Sequence, residues 1–214
     1  MSLPIKASLG VVALTGTIGG GILVNNYFTK NSGEPKKTLI SKRLESEGYV
    51  LLDVNKDAEW TNTVNKHKET NFTYPRFSLK ASQELIDLKK ECQRVLNVTN
   101  NEEDYKKAKK WCVKPMSVKD LISSKKLTLL KVQTNDNSNK QEFQSLVERY
   151  EKEGNGNNAI KGLSLEISGN KDNNWSKLRD KCRELSEKEF WSMDYDDEVL
   201  KVEMWCINEA VKGG

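Results

Sequence analysis

Residues 108–114 read AKKWCVK and residues 202–208 read VEMWCIN. A chain with five Trp and four Cys uses two of each on the same Trp-Cys dipeptide. Working outward from the two dipeptides, the second half of the chain lies over the first. LIDLKKECQRVL at 85–96 falls on WSKLRDKCRELS at 175–186, so Leu85, Leu88, Cys92 and Val95 face Trp175, Leu178, Cys182 and Leu185. Both sets have the 3, 4, 3 spacing of one buried helical stripe. Tyr105, Ala108, Trp111, Cys112 and Val113 fall on Val199, Val202, Trp205, Cys206 and Ile207. Upstream, Trp60, Val64 and His67 match Phe143, Val147 and Tyr150, and Leu39-Ile40-Ser41 matches Leu121-Ile122-Ser123. Offsets growing stepwise from 82 to 94 indicate two copies of one unit, at 38–117 and 118–214, separated by loop insertions.

Each copy then consists of a short apolar segment followed by three helices. The expected helices are 56–69, 80–97 and 101–114 in the first copy, and 139–153, 173–188 and 195–211 in the second. Asn100 and Asp194 are the expected caps of the last helix of each copy, with carboxylates in the first turn. Pro115 and Gly213-Gly214 supply stop signals. YVLLDV at 49–54, LTLLKV at 127–132 and LSLEIS at 163–168 are β-prone and suit short strands or extended connections. The fold class is mainly α.

Four cysteines allow three pairings. Neither a C-x-x-C redox motif nor zinc-knuckle spacing occurs. One disulfide per copy, Cys92–Cys112 and Cys182–Cys206, is favoured because a single ancestral unit could have made it alone. Closing a loop of about 20 residues constrains the unfolded chain by about 3 kcal/mol in the entropy model. Four buried free thiols are the competing reading. Trp111 and Trp205 are expected to be core anchors, each beside its Cys.

Residues 7–29 carry no charge, and Ala7 to Val24 form their apolar centre. As a helix, the 18 residues would span about 27 Å, enough for a hydrocarbon core. Segment 1–29 is therefore expected to be a signal anchor that contacts the bilayer through residues 7–28, with KNSGEPKK at 30–37 as a linker. A cleaved signal peptide is the alternative. Gly16 and Gly20 stand in small-xxx-small register. One Lys precedes the span and Lys30, Lys36 and Lys37 follow it, which by the positive-inside rule would keep the remainder in the cytoplasm. Disulfides require the opposite, an oxidising outer face. The cysteine pairing decides the expectation: single-pass in the cell membrane, with the C-terminal part extracytoplasmic.

The bulk numbers exclude some classes. Net charge is +4, with 31% charged residues and Asp and Glu spread among the lysines. Lys outnumbers Arg 29 to 6 and Asn reaches 20, the signature of an AT-rich genome rather than of a polyanionic partner. No basic, aromatic-interleaved stripe occurs, so nucleic-acid binding is not expected. The single histidine, His67, aligns with Tyr150 and is expected to be structural, which removes most metal and nucleophile arrangements. DYDDE at 194–198 fits an acidic helix start better than a cation loop. The sequons NFT at 71–73, NVT at 97–99 and NWS at 174–176 occur in an Asn-rich chain where chance supplies such matches. No catalytic, cofactor or metal site is expected, and the chain is not expected to be an enzyme.

The segments MSLPIKASLGVVALTGTIGGG (1–21), LISKRLESEGYVLL (39–52), EWTNTVNKH (59–67) and the LKKEC…KKWCVKP pattern (88–92, 109–115) resemble the paralogous surface-protein families of hemotropic mycoplasmas. That resemblance implies a surface or membrane location in a wall-less bacterium, immune exposure and no established enzymatic activity. It carries over no functional residues. The expected function is a membrane-anchored extracytoplasmic interaction protein whose partner is a host protein or cell-surface ligand. The alternatives are a cytoplasm-facing, membrane-tethered scaffold with free thiols, and an enzyme using an unrecognised carboxylate site.

Overall fold

In a computed structural model, the described residues are 38–70, 73–99, 101–166 and 173–212. The anchor expected at 1–29, its glycines, the 30–37 linker, Asn100 and Gly213-Gly214 lie outside them. The helices run α1 (Ile40–Ser46), α2 (Asp57–Lys68), α3 (Glu84–Leu96), α4 (Glu102–Trp111), α5 (Val118–Ser124), α6 (Lys140–Glu153), α7 (Asn174–Ser186), α8 (Tyr195–Trp205) and α9 (Asn208–Lys212). Among the described residues no helix is long and apolar enough to cross a membrane.

Helix α3 buries Leu88, Cys92 and Val95, and α7 buries Leu178, Cys182 and Leu185. These positions share one face at helical spacing, so burying that face is what fixes each helix. The core formed this way runs continuously through both halves. Within the first half α2 packs on α3, α3 on α4, and α1 on both α3 and α4. Within the second, α6 packs on α7, α7 on α8, and α5 on both α7 and α8.

Hydrogen bonds repeat between the halves at backbone level. Ile40 N donates to Val98 O and Val118 N to Lys188 O. Leu52 N donates to Cys112 O, Lys114 N to Val50 O, Leu130 N to Cys206 O and Asn208 N to Thr128 O. The last four bonds flank isolated bridges, Leu51 with Val113 and Leu129 with Ile207. The β-prone stretches 49–54 and 127–132 are thus extended pieces, each pinned at one point against the Cys corner. They do not become strands, because each corner offers only a residue or two to pair with. Residues 163–166 of the third such stretch are likewise not a strand.

Several sequence expectations shift in register. Residues 40–46 and 118–124 are helical, not merely apolar connectors. Helix α1 corresponds to α5 at an offset of 78, since Ile40 occupies the place of Val118. The Leu-Ile-Ser match at offset 82 is therefore one helical turn out of register. Both helices close the same way. Gly48 N bonds Glu45 O and Tyr49 N bonds Leu44 O, while Lys126 N bonds Ser123 O and Leu127 N bonds Ile122 O. This closure needs a left-handed residue after the helix. Gly48 has φ +86° and Lys126 φ +61°. At Gly48 a Cβ would also lie 2.6 Å from Lys125 Cγ, which binds the two halves closely there.

The cap of α4 is Asn101, whose side chain accepts from Asp104 N at 3.0 Å. Asp194 precedes α8 but caps nothing with its side chain. The helix expected over 195–211 breaks at Cys206, where the backbone turns to meet Thr128, and α9 resumes at Asn208.

Candidate functional site

The two Trp-Cys corners are built alike. Cys92–Cys112 and Cys182–Cys206 are disulfides with Cα–Cα distances of 5.4 and 5.5 Å, and all four cysteines are buried. Each bond ties the middle of one helix to the end of the next. Trp111 and Trp205 are both 0% exposed, in the core as expected. The Trp111 indole donates to Pro75 O at 2.7 Å, and the Trp205 indole to Asn158 O at 3.0 Å. His67 meets Trp111 edge-on at 4.6 Å, and Tyr150 meets Trp205 at 4.9 Å. An arginine completes each corner. Arg76 donates to His67 O and Glu69 O and lies over Trp111, while Arg149 donates to Met204 O and Ala210 O and lies over Trp205.

His67 therefore fills a core position. Burial, and then the charge of Arg76, hold its pKa below the ordinary histidine value. Its Nε2 is buried without a hydrogen-bond partner, so the neutral ring suits the site.

One feature of the first corner has no counterpart in the second. Lys110 is only 6% exposed, although its neighbour Trp111 already fills the corner. Its ammonium lies 3.8 Å from the centre of the Tyr74 ring, 4.4 Å from Phe190, 5.1 Å from Trp191 and 5.8 Å from Tyr195. It donates to Phe190 O at 2.6 Å. Burial pushes its pKa down to about 8, against a smaller opposing effect of Asp196. The rings come from the loop after α2, from the α7–α8 connection and from the first residue of α8, so a side chain of the first half is inserted into the second. The Tyr74 hydroxyl donates to Ser192 O and Met193 O, and the Tyr195 hydroxyl donates to Met116 O. Lys109 pairs with Asp196 at 2.9 Å beside it.

A cavity of about 250 Å³ opens onto this box. Tyr74, Pro75, Tyr105, Phe190 and Tyr195 supply its apolar walls. Glu102, Lys106, Lys109, Lys110 and Asp196 supply its charges. Sequence reasoning missed this site, since its parts lie at 74, 102–110 and 190–196 and share no motif. The available signal was the mismatch of Lys110 with Met204 at the aligned position.

A second, open groove of about 660 Å³ runs along α7. Along it Lys181 pairs with Glu184 at 2.6 Å and Arg183 with Asp180 at 3.7 Å, and Lys177 pairs with Glu166 at 2.7 Å. Among the described residues no group of three or more His, Cys, Asp or Glu side chains converges enough to hold a metal ion. The sequon residue Asn174 is 1% exposed and bonds both the N–H and the C=O of Glu166. It is a structural side chain, closed to modification in the folded state. Asn97 is exposed at the end of α3, and the NFT motif falls largely outside the described residues.

No protein-family model, no curated protein and no solved structure matches this chain.

Proposed function

We propose that the chain is a membrane-anchored extracytoplasmic interaction protein, composed of two tandem copies of a disulfide-stapled helical unit at 38–117 and 118–214. Residues 7–28 hold it in the bilayer, and the resemblance to mycoplasma surface families agrees with that placement. Its partner is a host protein or cell-surface ligand, met by the exposed connections around 135–140 and 153–158. The observation that carries this reading is the pair of buried disulfides, one at the same corner of each half. Such bonds persist in an oxidising compartment and are reduced in the cytosol.

The test is intact mass measured on native protein after alkylation without reduction. Two disulfides leave all four cysteines unlabelled, whereas four alkylated thiols defeat the reading. Protease applied to intact cells supplies the topology, since an outside domain is clipped. A second reading, a cytoplasm-facing scaffold with free thiols, is favoured by the three lysines that follow the apolar span. It predicts the opposite outcome in both experiments.

A further inference from the structure

The 250 Å³ cavity at the seam of the two halves has a charge that its own residues leave unmatched. Glu102 is held by Arg43 at 2.9 Å, and Asp196 is held by Lys109 at 2.9 Å. With both carboxylates engaged, Lys106 and Lys110 remain. Lys106 is exposed at the rim and forms no ion pair among the described residues. The Lys110 ammonium donates to a neutral carbonyl and faces rings, and among the described residues no carboxylate reaches it at ion-pair distance. In a partly desolvated site such a charge acts over several ångströms, so the cavity is positive inside.

The other half shows that this is not a requirement of the fold. The positions aligned with Lys106, Lys109 and Lys110 are Leu200, Glu203 and Met204, and there the same corner is built without the cationic set. A buried ammonium at 110 carries a desolvation cost that methionine avoids. Its presence on one side only, next to the 250 Å³ cavity, singles out the first-half corner as a site.

Volume and walls define the occupant. An apolar cavity of about 150 Å³ accommodates benzene. A cavity of about 250 Å³ takes one substituted ring. Four aromatic rings and Pro75 offer flat faces for such a ring. Lys106 and Lys110 supply the countercharge for one anionic group. We propose that this seam cavity binds a small ring-bearing carboxylate, with the ring among Tyr74, Tyr105, Phe190 and Tyr195 and the carboxylate facing Lys106 and Lys110. The proposal does not depend on the membrane placement argued above.

The test titrates the folded protein with phenylacetate and 4-hydroxybenzoate, with benzylamine and benzyl alcohol as cationic and neutral counterparts. Calorimetry and tryptophan fluorescence are read together, since Trp191 belongs to the box. Saturable binding of a carboxylate with Kd below about 1 mM is expected, with benzylamine at least about tenfold weaker. Lys106→Ala, at an exposed position that leaves the fold intact, and Lys110→Met, checked for native near-UV circular dichroism, should each weaken the carboxylate by about tenfold. Absence of saturable binding for both carboxylates overturns the proposal. So does equal binding of benzylamine, or full affinity in either lysine variant.

Discussion

Replacing Lys110 by methionine, the residue that the second half carries at the aligned position, tests the energetics of the box directly. In the folded chain the Lys110 pKa is pushed from 10.5 to about 8, chiefly by burial. One unit is about 1.4 kcal/mol, so the fold penalises the ammonium relative to the neutral amine by about 3 kcal/mol more than water does. Between the folded and unfolded pKa values the unfolded chain binds the extra proton, so stability rises with pH in that window. Integrated from about pH 8 to about pH 9.5, the rise is roughly 1.5 kcal/mol. Below the folded pKa the whole penalty is present, and Lys110→Met removes it while leaving the Phe190 carbonyl without its donor. That loss costs about 1–3 kcal/mol, so at neutral pH the variant should be between equal to the parent and about 2 kcal/mol more stable. The discriminating quantity is the pH profile. Urea unfolding of both proteins at steps across this range should show the parent gaining on the variant. Tyr49, Tyr74, Tyr105 and Tyr195, whose pKa values burial pushes above the ordinary phenol range, titrate later and bend both curves down only beyond about pH 10. Parallel profiles between about pH 8 and about pH 9.5 would refute the reasoning, because the lysine would then titrate as if in water.

Three further outcomes follow from the duplicate corners. Converting either disulfide to a pair of alanines should lower stability by about 3 kcal/mol, since the spans of 20 and 24 residues are nearly equal; denaturant midpoints unchanged in either variant contradict this. Lys126→Gly should stabilise by about 0.5–1 kcal/mol by relieving the left-handed backbone, whereas Gly48→Ala should destabilise through both φ and the approach of Lys125; thermal melts of the two variants give opposite signs. His67→Tyr, copying Tyr150, should blunt acid sensitivity. The folded pKa of His67 lies below its unfolded value, so its contribution is intact above about pH 6.5 and is lost as pH falls through the window beneath; equal acid midpoints for parent and variant would count against a buried neutral imidazole.

Sequence alone revealed the parts of this fold that rest on periodic burial. The stripes Leu88-Cys92-Val95 and Leu178-Cys182-Leu185 are visible because a helix face must repeat every three or four residues. The disulfide partners were accessible by the same logic, since each unit contains one cysteine on that stripe and one beside its tryptophan. Helices α1 and α5 were hidden because seven residues hold too few turns for a period to emerge. The break at Cys206 was hidden for another reason. VEMWCINEAV reads as one uninterrupted helix, and the backbone bonds from Asn208 N to Thr128 O and from Leu130 N to Cys206 O, with partners far earlier in the chain, end it. Propensity carries no trace of such a tertiary override.

The candidate site was illegible for a deeper reason. Matching the halves rewards positions where they agree, and agreement reports packing: Trp111 with Trp205, Cys112 with Cys206, and His67 with Tyr150 as edge-on partners of each tryptophan. The cavity is made of positions where they differ. Lys110 stands over against Met204, and Tyr74, in the long connection from α2 to α3, bonds across to Ser192 and Met193. In the second half the matching connection turns back on its own corner, where Asn158 O receives the Trp205 indole and Ile160 N donates to the Tyr150 hydroxyl. A symmetric pair of stapled units would bury both corners equally and leave the seam to shape complementarity alone. Here one corner reaches over the seam with a lysine, and there rings, ammonium groups without a carboxylate partner and a cavity coincide. If the seam existed for packing only, methionine at 110 would serve as it does at 204. The lysine is therefore the residue whose replacement separates a structural joint from a binding site: an intact fold that no longer takes up a ring-bearing carboxylate is the result that assigns it.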